Sequence, residues 1–183
     1  AAEKAGVTLM TAFPMRFAMP VQSAKASLDA GRYGRLTSFI GKNQGQCPKH
    51  HRAWFADPEL AGGGAMTDHT VHLADVYRWF SETEVDTVYA VNNRITYRDA
   101  TELETGGLVS LSFEDGRTAS IDCSWSRPLN YPTWGGLSVR LLTDRGAVDV
   151  DAFGQTQTVY GLGEQHTRWD YWGSDANQRM IDE

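Results

Sequence analysis

The chain has 183 residues, of which 41% are hydrophobic and 22% are charged, and its formal net charge is −6. Acidic and basic residues are interspersed, which excludes the basic stripe of a nucleic-acid-binding surface. The sequence also lacks the roughly 18 consecutive apolar residues that a membrane-spanning helix needs. We therefore expect one globular domain, with at most a fragment of a second one.

The cysteines and the amino-terminal residues bear on the cellular compartment. Cys47 and Cys123 lie far apart in the sequence, and a chain of this length does not need a disulfide to form a stable core. Residues 1–7 lack the charged and apolar regions of a secretory signal. We therefore predict two free thiols and a cytoplasmic location.

The first residues resemble the end of a larger structure. Residues 1–6 predict the last turn of a helix closed by a glycine, and the apolar run 7–12 predicts a short buried strand. A buried strand needs a sheet beside it, and no strand precedes this one. We therefore expect residues 1–13 to be the remnant of an amino-terminal domain, and residues 14–183 to form a second domain, truncated at its carboxyl terminus.

Helical patterns follow in three places. Residues 21–30 predict a helix between Pro20 and Gly31, since proline favours the first turn and glycine the end. Residues 65–80 predict a longer helix, because their apolar positions follow helical spacing. A last helix is predicted from Ser174, which would cap it. A long loop rich in His, Trp, Phe and Pro covers residues 47–60.

The alternation of apolar and polar residues predicts β-strands, and the turn signals at 114–117 and 144–146 predict antiparallel hairpins. The predicted strands cover residues 35–46, 85–95, 107–113, 118–125, 137–143, 147–150 and 157–160. We expect an α+β fold in which helices cover one face of an open, mainly antiparallel sheet of about six strands. Several strands have apolar residues on both sides, so we expect an oligomer that buries the other face.

The stretch from Gly62 to Asp75 contains the strongest candidate site. Three glycines lead into the longer helix, and they would bring backbone amides close to a ligand. Asp68 and His72 lie four residues apart on that helix and therefore share one face. The carboxylate would raise the pKa of the imidazole, and His72 could accept a hydroxyl proton. On spacing alone the competing interpretation is favoured, in which Asp68 caps the helix and His72 is a packing residue.

A metal site is a further interpretation, since four of the five histidines lie near this stretch. The candidate ligands are His50, His51, Asp68, His69 and His72. Two helical residues and one from the loop could form a three-ligand site. However, the pair four residues apart is Asp and His, no H-E-x-x-H is present, and His69 is expected on a different face from His72. We therefore predict no metal.

Two further residues have open roles. Arg16 could anchor an anionic or polyhydroxylated ligand, or it could pair with a surface acid. Trp54, with the adjacent Phe55, could form a pocket wall or ordinary core. No G-x-G-x-x-G, Walker loop, G-x-S-x-G or C-x-x-C is present.

Taken in order along the chain, these segments resemble the C-terminal half of a Gfo/Idh/MocA-type oxidoreductase, the family of glucose–fructose oxidoreductase and inositol dehydrogenase. Residues 6–16 resemble the last strand of the Rossmann domain and the start of the F-x-x-R-x-x-x-P segment after it, and that segment is residues 13–20 here. Residues 31–36 resemble the G-x-x-G-x-[IL] entry to the first sheet strand, and residues 54–64 the W-x(n)-G-G-G loop. Asp68-x-x-x-His72, followed by Asp75 and Trp79, resembles the catalytic helix.

The resemblance implies a dihydrodipicolinate reductase-like C-terminal fold and an NAD(P)-dependent dehydrogenase that acts on a sugar or polyol hydroxyl. By analogy, His72 would be the acid/base, and Asp68 would orient it or bind substrate. Arg16, His51 and Trp54 would lie on the substrate side. A homodimer or homotetramer through the open sheet face is also implied.

NAD or NADP would be bound mainly by an N-terminal domain that this chain does not include. The family's E-K-P lysine is also expected upstream, and Lys4 does not correspond to it. We therefore expect this chain alone to be inactive. A non-catalytic sensor or assembly protein with the same fold is the alternative.

Overall fold

The computed structural model describes residues 1–161 and 166–183, and within them one eight-stranded sheet forms the framework. The strands are β1 (Leu36–Gln46), β2 (Val85–Asn93), β3 (Gly106–Phe113), β4 (Thr118–Arg127), β5 (Leu137–Thr143), β6 (Gly146–Asp151), β7 (Thr156–Gly161) and β8 (Arg168–Tyr171). Their spatial order is β2-β3-β4-β1-β5-β6-β7-β8. Neighbouring strands are antiparallel except β1 and β4, which run parallel.

The helices are α1 (Ala2–Ala5), α2 (Met19–Asp29), α3 (Pro58–Ala61), α4 (Ala65–Ser81) and α5 (Ala176–Asp182), with short 3₁₀ turns at Pro14–Phe17, Pro48–His50 and Ala53–Ala56. The apolar residues of α2 and α4 pack with the inward residues of the sheet into one core, so both helices cover the same face. In the part of the chain that the structure describes, no helix is long and apolar enough to cross a membrane.

The contact between α4 and the centre of the sheet fixes the position of the helix. The Tyr77 ring stacks on Phe39 with its centroid 4.5 Å away. The Tyr77 hydroxyl donates to the Ser120 carbonyl of β4 at 3.0 Å. Gly41 on β1 provides the necessary room, since a Cβ there would lie 2.0 Å from that hydroxyl. The sheet therefore holds α4 at a short, defined distance.

The sheet confirms the mainly antiparallel α+β prediction, but it has eight strands rather than about six. Seven of them coincide with predicted segments. The strand that the sequence does not predict is β8. Its four residues pair with β7, and Thr156 of β7 lies opposite Tyr171 of β8. Four residues are too few for a reliable alternation pattern. Both cysteines are free and buried, as predicted.

Two predictions about the ends of the described chain are wrong. Residues 7–12 form no strand, and Val7, Leu9 and Met10 are exposed, because no strand lies beside them to pair with. The last helix is capped by Asp175, whose carboxylate accepts hydrogen bonds from the amides of residues 177 and 178. The hydroxyl of Ser174, the predicted cap, instead donates to the Gln155 side chain.

Candidate active site

A cavity of about 360 Å³ lies at the amino-terminal part of α4. Its volume falls within the range of about 300–1,000 Å³ that is usual for small-molecule sites. The lining residues are Pro14, Met15, Asn43, Arg52, Asp68, His69, His72, Trp134, Gly135, Leu137, Phe153 and Asn177. Both predicted catalytic residues, Asp68 and His72, therefore line one cavity.

The glycines before α4 bring the start of the helix against Glu104, which lies two residues before β3. The backbone amide of Gly64 donates to the Glu104 carboxylate at 2.8 Å, and the amide of Ala65 donates to the Glu104 carbonyl at 2.9 Å. A Cβ at Gly64 would lie 2.0 Å from that carbonyl oxygen. Glu104 thus occupies the amides of Gly64 and Ala65, so these two amides do not face a ligand as expected.

Asp68 does not cap the helix. The N-cap residue is Gly64, and the Asp68 amide donates to the Gly64 carbonyl as an ordinary helical residue. The Asp68 carboxylate instead accepts a hydrogen bond from the indole Nε1 of Trp125 at 3.0 Å. Trp125 is fully buried at the end of β4, so it fixes the carboxylate in position.

His72 lies one turn further along α4, with its Nδ1 buried and without a hydrogen-bond partner among the described residues. The ring of Phe13 approaches it edge-on at 6.0 Å. Burial lowers the pKa of His72, and the opposing influence of Asp68 and Asp75 does not compensate. The predicted rise is therefore wrong in sign, because desolvation outweighs attraction to the carboxylate. The imidazole is neutral at neutral pH, the form that can accept a proton.

His69 lines the same cavity, contrary to the expectation that it faces elsewhere. Its ring is buried, and its Nε2 has no hydrogen-bond partner within the described residues. The closest acidic oxygen is Asp68 Oδ2, at 3.7 Å. The side chain of Asn43 donates to the His69 carbonyl at 3.0 Å. The signal in the sequence was its spacing of three residues from His72, which also places two side chains on one helix face.

The predicted substrate-side residues do not line this cavity. Arg16 forms two hydrogen bonds with the Asp75 carboxylate, at 2.7 and 2.6 Å. The ring of His51 lies edge-on to the cavity residue Trp134, with centroids 5.5 Å apart. Trp54 is 51% exposed. Their proposed substrate contacts therefore depend on a ligand that extends beyond the cavity.

Metal binding has no ready-made site in the part of the chain that the structure describes. Across residues 1–161 and 166–183, no group of three or more His, Cys, Asp or Glu side chains is placed to hold a metal ion.

The two buried imidazoles predict a specific loss of stability in acid. Burial lowers the pKa of His69 and of His72, so the unfolded chain binds protons at a higher pH than the folded chain. The stability that the two neutral imidazoles contribute is complete above pH 6.5, which is about the pKa of histidine in the unfolded chain. This stability is lost as the pH falls towards the lower pKa values of the two histidines in the folded chain. We expect the free energy of unfolding, measured by urea denaturation, to fall between pH 7.5 and pH 5.

The matched variants separate this effect from general acid denaturation. The double variant His69→Gln, His72→Gln should lose less stability over the same pH interval than the wild type. The variant His50→Gln, which changes an exposed histidine, should keep the wild-type pH dependence. An equal pH dependence in the double variant and the wild type would contradict the assignment.

The fold and the cavity together define an α+β domain whose cavity is lined by a carboxylate and two neutral imidazoles. A sequence profile of the GFO/IDH/MocA C-terminal domain matches residues 21–149, more than half of the chain. The chain belongs to this family.

Two curated relatives have similar sequences. D-xylose 1-dehydrogenase (NADP(+)) 2 of Haloferax volcanii is 32% identical over 126 residues, which cover 69% of this chain and 37% of that protein. The 1,5-anhydro-D-fructose reductase of Ensifer adhaerens is 34% identical over 79 residues, 43% of this chain and 24% of that protein. The matched part of the chain thus spans well under half the length of these relatives.

Solved structures confirm the fold. Levoglucosan dehydrogenase in complex with NADH and levoglucosan superposes with a TM-score of 0.77 at 20% identity, covering 91% of this chain and 48% of that one. An inositol dehydrogenase homolog from Azotobacter vinelandii, in complex with NAD+, superposes with a TM-score of 0.76 at 14% identity, covering 93% of this chain and 45% of that one.

Proposed function

We propose that the chain is the substrate-binding and catalytic-helix part of an NAD(P)-dependent dehydrogenase that oxidises or reduces a sugar or polyol hydroxyl. The observation that carries the proposal is the cavity that joins Asp68 to His72, whose buried Nδ1 has no partner among the described residues. Membership of the GFO/IDH/MocA family supports it, as do the sugar substrates in the names of the relatives.

His72 is the acid/base in this proposal. As a neutral imidazole it accepts the hydroxyl proton while the carbon–hydrogen bond breaks and the alcohol becomes a carbonyl. The nicotinamide cofactor, when bound, takes the hydride. The nearby Asp68 carboxylate stabilises the imidazolium that forms, and its hydrogen bond to Trp125 keeps it from moving.

The substrate-side residues act from outside the cavity. Arg16 ties the segment of Pro14 and Met15, which forms one cavity wall, to Asp75 on α4. Trp54 is exposed and offers an aromatic face to a sugar ring, and His51 supports Trp134. We propose that these three residues shape the entrance to the site.

The residues of this chain do not fit a dinucleotide on their own, because the sequence contains no glycine-rich phosphate-binding turn. We propose that a preceding Rossmann domain binds most of NAD or NADP, that residues 1–13 belong to it, and that residues 14–183 form the substrate domain. The exposed Val7, Leu9 and Met10 would then pack in that domain. The chain alone would be inactive.

The open face of the sheet is the proposed contact between subunits of a homodimer or homotetramer. Large apolar side chains are exposed there on the two strands that flank β4, with Ile40 of β1 at 51% and Leu108 of β3 at 48%. Cross-strand pairing places Val91 beside Leu108 and extends the apolar row to the edge strand β2. The buried free thiols fit a cytoplasmic protein.

The full-length protein, assayed by nicotinamide absorbance with D-xylose, levoglucosan, 1,5-anhydro-D-fructose and myo-inositol, tests the function. We expect reduction of 1,5-anhydro-D-fructose with NADH or NADPH, or oxidation of at least one of the other three with NAD or NADP. Binding of a polyol without turnover would contradict the enzyme and support the sensor alternative.

A further inference from the structure

We propose that His69 is a second substrate-binding imidazole in this cavity, and that it hydrogen-bonds the hydroxyl on the carbon next to the reacting one. This inference rests on the proposed function and narrows its substrates to vicinal diols. It assigns a role to a residue that neither the resemblance nor the spacing of Asp68 and His72 selects.

One ring nitrogen of His69 lacks a hydrogen-bond partner among the described residues. Its Nε2 is buried and has no partner within residues 1–161 and 166–183. Asp68 Oδ2 lies 3.7 Å away, beyond hydrogen-bond distance, and already accepts the indole N–H of Trp125. A hydroxyl that contacts both groups would satisfy the imidazole and use the remaining capacity of the carboxylate.

Packing alone does not explain an imidazole at this position. The ring fills the space left by Gly45, where a Cβ would lie 3.0 Å from its Cε1 and Nε2. It also lies near the Trp134 ring, with centroids 6.5 Å apart. An apolar side chain would fill that space without burying a polar nitrogen, which costs free energy unless it is hydrogen-bonded. His69 also lines the cavity, so a ligand bound there can approach its ring.

The charges around His69 favour a hydroxyl over an anion. Burial lowers its pKa, with His72 and Arg127 acting in the same direction and Asp68 opposing them, so the ring is neutral. A neutral imidazole has one N–H and one lone pair, and a hydroxyl can pair with either. A carboxylate or phosphate would meet the negative charge of Asp68. Arg52, which also lines the cavity, offers a cation elsewhere in the wall.

The spacing on α4 relates the two hydroxyls. His69 and His72 are three residues apart, so their side chains leave the same helix face with Cβ atoms about 5–6 Å apart. In the proposed function His72 takes the proton of the reacting hydroxyl. The neighbouring hydroxyl of a sugar or polyol then lies towards His69 and Asp68. A substrate without that second hydroxyl leaves the His69 nitrogen unpaired.

Steady-state kinetics of the full-length protein test this role. The variants are His69→Leu, His69→Gln and, as a control, His50→Leu, which changes an exposed histidine. The substrates are the best-oxidised polyol of the panel and its analogue deoxygenated beside the reacting carbon. We expect His69→Leu to lower kcat/KM for the polyol about 3- to 10-fold, mainly through KM, the loss expected for one hydrogen bond. His69→Gln should restore most of the wild-type kcat/KM, because its amide can form a hydrogen bond.

For the deoxy analogue, His69→Leu should equal the wild type, because the hydrogen bond is already missing. An equal loss on both substrates, or a change in thermal unfolding with unchanged KM, overturns the inference while the proposed function stands. If the wild type oxidises no polyol, the proposed function fails, and a binding experiment then tests His69 separately. The imidazole ¹⁵N resonances of His69 are assigned by their loss in His69→Gln. They are then followed while the wild type is titrated with D-xylose. A shift then supports the hydroxyl site, and no shift overturns it.

Discussion

Replacing His72 by asparagine in the full-length protein should lower kcat for polyol oxidation by about 10²- to 10⁴-fold, the usual contribution of a placed general base. The substitution removes the proton acceptor while leaving a polar side chain in the cavity. His50→Asn is the matched control, since His50 is exposed on the loop before α3 and outside the cavity lining. Activity of His72→Asn within a few-fold of the wild type would exclude His72 as the acid/base.

The pH profile adds a second readout to the same variant. Because burial lowers the pKa of His72, the neutral base persists below the ordinary histidine pKa of about 6.5. The acidic limb of kcat/KM for oxidation should therefore lie below that pH in the wild type, and His72→Asn should lack it. A wild-type limb well above pH 7 would contradict the direction of the shift.

Gly64→Ala should impair both folding and catalysis. Its Cβ would lie 2.0 Å from the backbone oxygen of Glu104, and backbone cannot move aside as the end of a side chain can. We expect the free energy of unfolding to fall by about 1–3 kcal/mol, the usual cost of overpacking. The start of α4 would shift, and a displacement of about 1 Å at reacting groups can cost about 10²-fold in rate.

Gly173→Ala is the control for this variant, because a Cβ at Gly173 meets nothing within 4 Å. Chemical denaturation and kcat/KM should both stay near the wild type for Gly173→Ala. If Gly64→Ala matched that control in stability and rate, then the contact with Glu104 would not position the catalytic helix.

The sequence predicts the elements with strong local periodicity. The observed β5 and the predicted 137–143 strand have the same bounds, and α4 differs from its prediction by one residue. Both have long apolar patterns with clear turn or glycine boundaries. The pairing of Asp68 and His72 in one cavity is predictable for the same reason, since it depends only on helical spacing.

The remaining features depend on residues distant in the sequence. Glu104, which accepts a hydrogen bond from the amide of Gly64 at the start of α4, lies 40 residues beyond it, and Trp125 lies 57 residues beyond Asp68. The sequence predicts a raised pKa for His72 from the nearby Asp68 carboxylate, whereas burial by other elements makes the pKa shift downwards. The edge strand β8 is too short to give a periodic signal, and β7 defines it by pairing.

A crystal structure of the full-length protein with the polyol that it oxidises and the oxidised cofactor tests the central proposal most directly. The proposal predicts the polyol in the cavity that Asp68 and His72 line, with the reacting hydroxyl within hydrogen-bond distance of the His72 imidazole. A polyol bound outside this cavity, or with His72 distant from every hydroxyl, would contradict it.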